Sequence, residues 1–206
     1  MRRNLFLAFL LVGLVVFFFN SSFSQKDKES SKTKASPRTS SSQDVFGKPD
    51  TCRLLYLQEE KSEKAKLSVS LFNDEKLACI NLPLRFGTGK TPIVCDSVSF
   101  ADTRVEYFQL KLARIDTVNQ TVLIGLFAYF SDPKPPLAEG DGEVANLYFT
   151  LTEQANLEEI VIDTTFIPPS NILGVATPEV KQFTPVLRVS KNMVKDIDKY
   201  EPKKKE

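Results

Sequence analysis

Four carboxylates, Asp132, Glu139, Asp141 and Asp163, are the residues whose type most invites chemistry. Two carboxylates facing across a cleft hydrolyse glycosides, one as acid and the other as base or nucleophile. Carboxylates grouped with carbonyls hold calcium. Three of the four share the Pro- and Gly-rich stretch 132–142, where acidic side chains are ordinarily solvated turn residues. No spacing singles out a facing pair, and the regular ligand period of a calcium loop is missing. Gly87-Thr-Gly-Lys-Thr91 has the ending of a phosphate-binding loop. The full motif requires glycine at position 84, which is Leu, and Pro92 follows at once, so the stretch reads as a flexible turn. The chain has no histidine. That removes Ser-His-Asp and Cys-His nucleophilic sites, histidine general bases and the commonest zinc ligand together. These residues assign no catalytic site, no metal and no cofactor, and the chain reads as a non-enzyme.

Cys52, Cys79 and Cys95 are an odd set, which allows one disulfide with a free thiol, or three free thiols. Cys79 falls on the outward parity of its segment, and Cys95 on the less apolar parity of its own. A Cys79–Cys95 bridge stays open beside small semi-buried thiols. Lys and Arg number 27 against 26 Asp and Glu, for a net charge of +1. That balance gives no electrostatic reason to bind nucleic acid or a membrane surface. Asn119-Gln-Thr121 matches a glycosylation acceptor in a turn.

The elements that must position these residues begin after an export signal. Arg2 and Arg3 precede an apolar run from Leu5 to Phe19, with small residues Ser22 and Ser24 beyond. The pattern is a secretory signal peptide over 1–24, cut between Ser24 and Gln25. The alternative is an uncleaved anchor, since Asn4 to Gln25 carries no charge and is long enough to span a bilayer. Either way the remainder lies outside the cytoplasm, secreted or held at the cell envelope, with membrane contact only through this segment. Residues 25–50 are Ser-, Thr- and Lys-rich and form a disordered linker. Residues 191–206 are a charged, flexible tail.

Between them, 51–190 is written in period two. In "ACINLPLRF" Ala78, Ile80, Leu82, Leu84 and Phe86 share one face, with Cys79, Asn81, Pro83 and Arg85 on the other. "KLSVSLF" alternates likewise. "YFQLKLAR" sets Phe108, Leu110 and Leu112 against Tyr107, Gln109 and Lys111, and "TVLIGLFAYF" is apolar on both faces. Short segments separated by Gly, Pro and Asn turns predict an all-β sandwich of about nine strands with jelly-roll topology. Phe127 and Tyr129 lie on the parity opposite Ile124, Leu126 and Ala128. If the latter face the core, the two rings stand on an outer sheet face, joined by Tyr107 if its strand is a neighbour.

"LACINLPLRF", "CDSVSF", "VLIGLFA" and "GDGEVANLYFTL" follow one another as in bacterial cohesin-type domains, which the chain resembles over residues 52–190. Gly140, Gly142, Ala145, Leu147 and Phe149 carry the most specific element. Two departures stand out: "EEKSEKAK" replaces the family's Pro-Gly-Asp turn, and Gly-Thr-Gly-Lys follows Phe86 where Tyr-Asp-Pro is common. The resemblance implies a nine-stranded jelly roll and a non-catalytic module binding an extracellular, dockerin-like protein partner. It implies a binding face on the strands corresponding to the third, fifth, sixth and eighth. By order and parity that face would present Asn81, Arg85, Tyr107, Gln109, Lys111, Phe127, Tyr129, Asp163 and Thr165, aromatic anchors within a polar rim. The alternatives are a carbohydrate-binding module taking polysaccharide on Tyr107, Phe127 and Tyr129, and a structural domain without ligand.

Overall fold

Alternation at period two becomes eleven strands, with no α-helix among the described residues. The computed structural model describes residues 44, 47–88, 93–129, 134–152 and 156–200. The expected signal peptide and nearly all of the expected linker lie outside the described residues, as do 89–92 of the glycine-lysine turn, Asp132 and residues 201–206 of the tail. The strands are β1 (Thr51–Glu59), β2 (Lys64–Asn73), β3 (Cys79–Gly87), β4 (Ile93–Ser99), β5 (Leu110–Asp116), β6 (Thr121–Phe127), β7 (Gly140–Leu151), β8 (Val161–Thr164), β9 (Gly174–Ala176), β10 (Gln182–Phe183) and β11 (Val186–Val194). They form a five-stranded sheet, β11-β1-β2-β7-β4, and a six-stranded sheet, β10-β9-β3-β6-β5, with β8 also paired to β3.

The count exceeds the expected nine for two local reasons. The single phrase "FTPVLRV" is split at Pro185, which has no N–H to continue a ladder. Phe183 ends β10 in one sheet and Val186 opens β11 in the other. The three-residue β9, too short to announce itself by alternation, fills the edge of β3 beside β8. β11 pairs in parallel with β1 through Val194, four residues into the segment expected as tail.

The two sheets enclose one core. Leu54, Tyr56, Leu67, Val69 and Leu71 point in from the five-stranded sheet, and Ile80, Leu82, Leu84, Val122, Ile124 and Leu126 from the six-stranded sheet. Phe86 and Phe149 meet between the sheets edge to face, ring centroids 5.1 Å apart. Pro83 sits inside β3, a position that ordinarily excludes proline. Its carbonyl accepts from Thr165 N at 3.0 Å on the β8 side, so its missing donor faces the gap where β9 has ended at Asn81 and β8 has not reached.

Candidate functional site

The outer face of the six-stranded sheet follows from its pairings. Cys79 and Asn81 lie opposite Phe127 and Gly125, and these lie opposite Leu110 and Leu112 on β5. Gly125 leaves a gap in that row. A Cβ on it would stand 3.5 Å from Phe127 Cε2 and 3.9 Å from Leu112 Cβ. The Phe127 ring therefore lies over the glycine toward Leu112, whose side chain is 52% exposed. Tyr129, two residues past Phe127 on the same parity, is 41% exposed. A glycine in the middle of a strand marks such a close approach. The result is an apolar ridge on a face open to water.

Polar groups border it. Arg85 Nη2 reaches Asp163 Oδ2 at 3.1 Å between β3 and β8. Both side chains are about half exposed, so the pair contributes at most about 1 kcal/mol to stability and chiefly orients two charges on the face. Asp163 Oδ1 also accepts from Thr164 N at 2.8 Å. Asn81 Nδ2 donates to Ile172 O at 2.8 Å, tying this side chain to the segment before β9. Thr165 is half-buried beside Pro83. At the far end of β5, Asp116 accepts from the backbone and side-chain amides of Asn119 and from Val118 N, which hold its carboxyl below the ordinary range. Arg114, Thr121 and exposed Phe166 line a shallow depression there.

Six of the nine residues expected on this face are therefore on it or at its border: Asn81, Arg85, Phe127, Tyr129, Asp163 and Thr165. Three are not. Tyr107 belongs to a turn ahead of β5, packs edge to face on buried Phe108 at 5.2 Å, and donates its hydroxyl to Pro136 O at 3.1 Å. Gln109 precedes β5, and Lys111 has the inward parity, opposite Leu126. The Lys111 ammonium donates to the carbonyls of Glu106 and Phe108 at 2.7 and 2.6 Å. The cause is a break in alternation: Phe108 is inward from the turn, whereas β5 begins at Leu110 with outward parity. Leu112 and Arg114, absent from the sequence-derived set, take the places of Gln109 and Lys111. Gly125 was the one available signal.

The cysteines and carboxylates also separate. All three thiols are free. Cys79 is on the outer face of β3, whereas Cys95 points into the core from the other sheet, opposite Phe149. The bulge between Cys95 and Ser97 inverts the parity of β4, placing Cys95 and Val98 on the inward side. Burial pushes both thiols up to about 12, with Asp96 adding to the effect at Cys95. Asp141 pairs with Arg53 on the five-stranded sheet and Asp163 with Arg85 on the other, so these carboxylates do not converge.

The opposite outer face is of another character. Lys66 lies over the Tyr148 ring, Ser68 donates to Asn146, and Asn146 donates to Glu143, each hydrogen bond 2.9 Å long. At the end of that sheet Arg104 ties strands together. Its guanidinium donates to Leu71 O, Asn73 Oδ1, Gly140 O and Ala138 O at 2.6–3.1 Å, joining the end of β2 to the start of β7. Gly142 has φ +153°, and a Cβ there would sit 2.9 Å from Arg104 Cδ. The glycines of "GDGEVANLYFTL" thus make room for an arginine clamp.

No family model matches this chain, and no curated protein matches it in sequence. Solved structures match in shape. A type I cohesin in the Coh-OlpA–Doc918 complex from Clostridium thermocellum superposes with TM-score 0.55 at 9% identity, over 71% of this chain and 100% of that one. The third cohesin of ScaC from Acetivibrio cellulolyticus, in complex with the ScaB dockerin, gives 0.54 at 10% identity over 70% and 96%. The seventh type I cohesin of ScaB from Pseudobacteroides cellulosolvens gives 0.51 at 9% over 74% and 97%. Two sheets in this topology, matched over nearly the whole length of each of these domains, are the fold of a cohesin-type domain.

Proposed function

We propose that this chain is an exported, non-catalytic module that binds a protein partner, dockerin-like in kind, on the outer face of its six-stranded sheet. The observation that carries the reading is the ridge of Leu112, Phe127 and Tyr129 over Gly125, bordered by the Arg85–Asp163 pair. Large side chains on a sheet face, Leu112 and Tyr129 exposed with Phe127 half-buried beside them, bordered by polar groups, are what a protein-binding hot spot requires. The ridge sits on β5 and β6, beside β3 and β8, the strands that the resemblance to cohesins nominates. Two of the solved neighbours are held in complexes with dockerins, which supports a partner of that class.

The carbohydrate reading has less support, because Tyr107 leaves the row and a planar platform of three rings is not formed. Both are tested by one experiment. The full chain and its Leu112→Ala/Phe127→Ala/Tyr129→Ala variant are used as baits against the source's extracellular fraction, with insoluble polysaccharides in parallel. Capture of a dockerin-containing protein by the first and not the second is expected. Retention on polysaccharide that the variant loses would favour carbohydrate, and identical behaviour of both baits would remove the face from the reading. Export has its own check: N-terminal sequencing of the protein recovered outside the cytoplasm should begin at Gln25, and an intact Met1 would instead indicate an anchor.

A further inference from the structure

Asp50 lies immediately before β1 and is fully buried. Its Oδ1 accepts from Asp74 N at 3.3 Å, while its Oδ2 has no hydrogen-bond partner. Around it stand three more carboxylates. Asp44 Oδ2 accepts from Asp50 N at 2.9 Å, and Asp74 Oδ2 accepts from Lys48 N at 2.6 Å. Asp74 Oδ1 and both oxygens of Glu75 are likewise buried and without a hydrogen-bond partner. One oxygen from each of the four lies within 4.8 Å of the others. Among the described residues no lysine or arginine forms an ion pair with Asp50, Asp74 or Glu75. The charge of Arg104 does reach Asp50, but its donors go to three carbonyls and to Asn73.

Buried anionic oxygens aimed at one another need a positive charge between them. We propose that Asp44, Asp50, Asp74 and Glu75 form a calcium site that ties the chain ahead of β1 to the turn between β2 and β3. The donors are all carboxylate oxygens, which select a hard cation. One oxygen from each of the four within 4.8 Å of the others leaves room for a single cation among them. Calcium takes about six to eight oxygens in flexible geometry, whereas magnesium demands a near-ideal octahedron and keeps several waters, so an irregular all-carboxylate set favours calcium. The loop is shaped to the carboxylate: Gly47 has φ +59°, and any Cβ there would collide with Asp74.

The site is far along the chain from the Leu112–Phe127 ridge, and it stands or falls separately from the partner reading. The test is calorimetric titration of the full chain, stripped with EGTA, with calcium chloride and separately with magnesium chloride, alongside thermal unfolding in each. One calcium per chain is expected, with a Kd on the order of 10⁻⁵–10⁻³ M, a rise in Tm with calcium, and a weaker response to magnesium. Asp50→Asn and Glu75→Gln should each weaken calcium at least about tenfold, in keeping with loss of one charged ligand, and abolish the calcium-dependent part of Tm. If Asp50→Asn does not fold, Glu75→Gln alone decides, because its carboxylate lies in a turn rather than at the start of a strand. No heat and no Tm shift up to about 5 mM calcium, an unchanged response in both variants, or a magnesium response equal to that of calcium would overturn the proposal.

Discussion

Gly125 has only a hydrogen where its neighbours carry side chains, and that vacancy lets the Phe127 ring turn along the sheet toward Leu112. The ridge is a surface feature, so its removal should cost binding and not folding. Leu112→Ala/Phe127→Ala is expected to lower stability by no more than about 1 kcal/mol, while partner affinity falls by roughly 2 kcal/mol or more if the ridge is the hot spot. Urea titration and calorimetry against the captured partner read the two separately. The thiols make a second residue-scale prediction. Cys52, Cys79 and Cys95 are all pushed up to about 12, in each case first by burial. The reactive thiolate is correspondingly scarce in the native protein. A thiol-directed reagent at pH 8 should label the native protein very slowly and all three cysteines promptly in guanidinium. Prompt labelling of native Cys95 would contradict its inward placement. Phe127 and Tyr129 could be read onto one face because β6 alternates without interruption. Lys111 and Cys95 could not, because a turn ahead of β5 and a bulge in β4 each shift parity by one residue.

At the level of elements, the clamp at the start of β7 shows why a glycine-rich phrase precedes a long strand. Arg104 occupies the space a side chain at Gly142 would need, in a backbone conformation that other residues rarely adopt. Gly142→Ala should therefore destabilise by about 1–3 kcal/mol, whereas Glu139→Ala, in the exposed stretch just ahead of it, should change little. Denaturant midpoints compare the two. β11 supplies another contrast. It covers the edge of β1 through Val194, with Glu60 N donating to Val194 O at 2.8 Å and Lys191 Nζ to Ile160 O at 2.8 Å. A chain ending at Ser190 should melt at a lower temperature than one ending at Tyr200 and should tend to aggregate through the uncovered β1 edge. The composition of 191–206 reads as tail because Lys, Asp and Glu dominate it. Its first four residues are strand because β1 offers them a ladder.

Across the whole molecule, the sheets are held by a core that only both of them complete. Phe149 of β7 meets Phe86 of β3 at 5.1 Å and Tyr56 of β1 at 6.4 Å between ring centroids. Phe149→Ala would remove both contacts and leave a cavity, costing about 3–5 kcal/mol, a large share of the roughly 5–15 kcal/mol that a domain has. A corresponding fall in the urea midpoint is expected, with the slope unchanged if the fold survives. The likeness to cohesin structures at 9–10% identity has the same origin. A sandwich constrains which positions are apolar far more tightly than which apolar residue fills them.

Sequence by itself determined that the folded part of this chain is an all-β sandwich, because alternation every two residues has one physical meaning: one face in, one face out. It also determined that phosphate-loop and histidine chemistry are absent, since those need residue types or spacings that are missing. It led to Arg85, Asp163, Phe127 and Tyr129 on a common face, since uninterrupted strands carry parity over long distances. Only the tertiary structure decided which leucine stands beside Phe127, that Cys95 points inward, that Arg104 clamps β2 to β7, and that Asp44, Asp50, Asp74 and Glu75 converge. Each of these depends on a bulge, a turn or a meeting of separate segments, and residues brought together by the path of the chain leave no periodic trace along it.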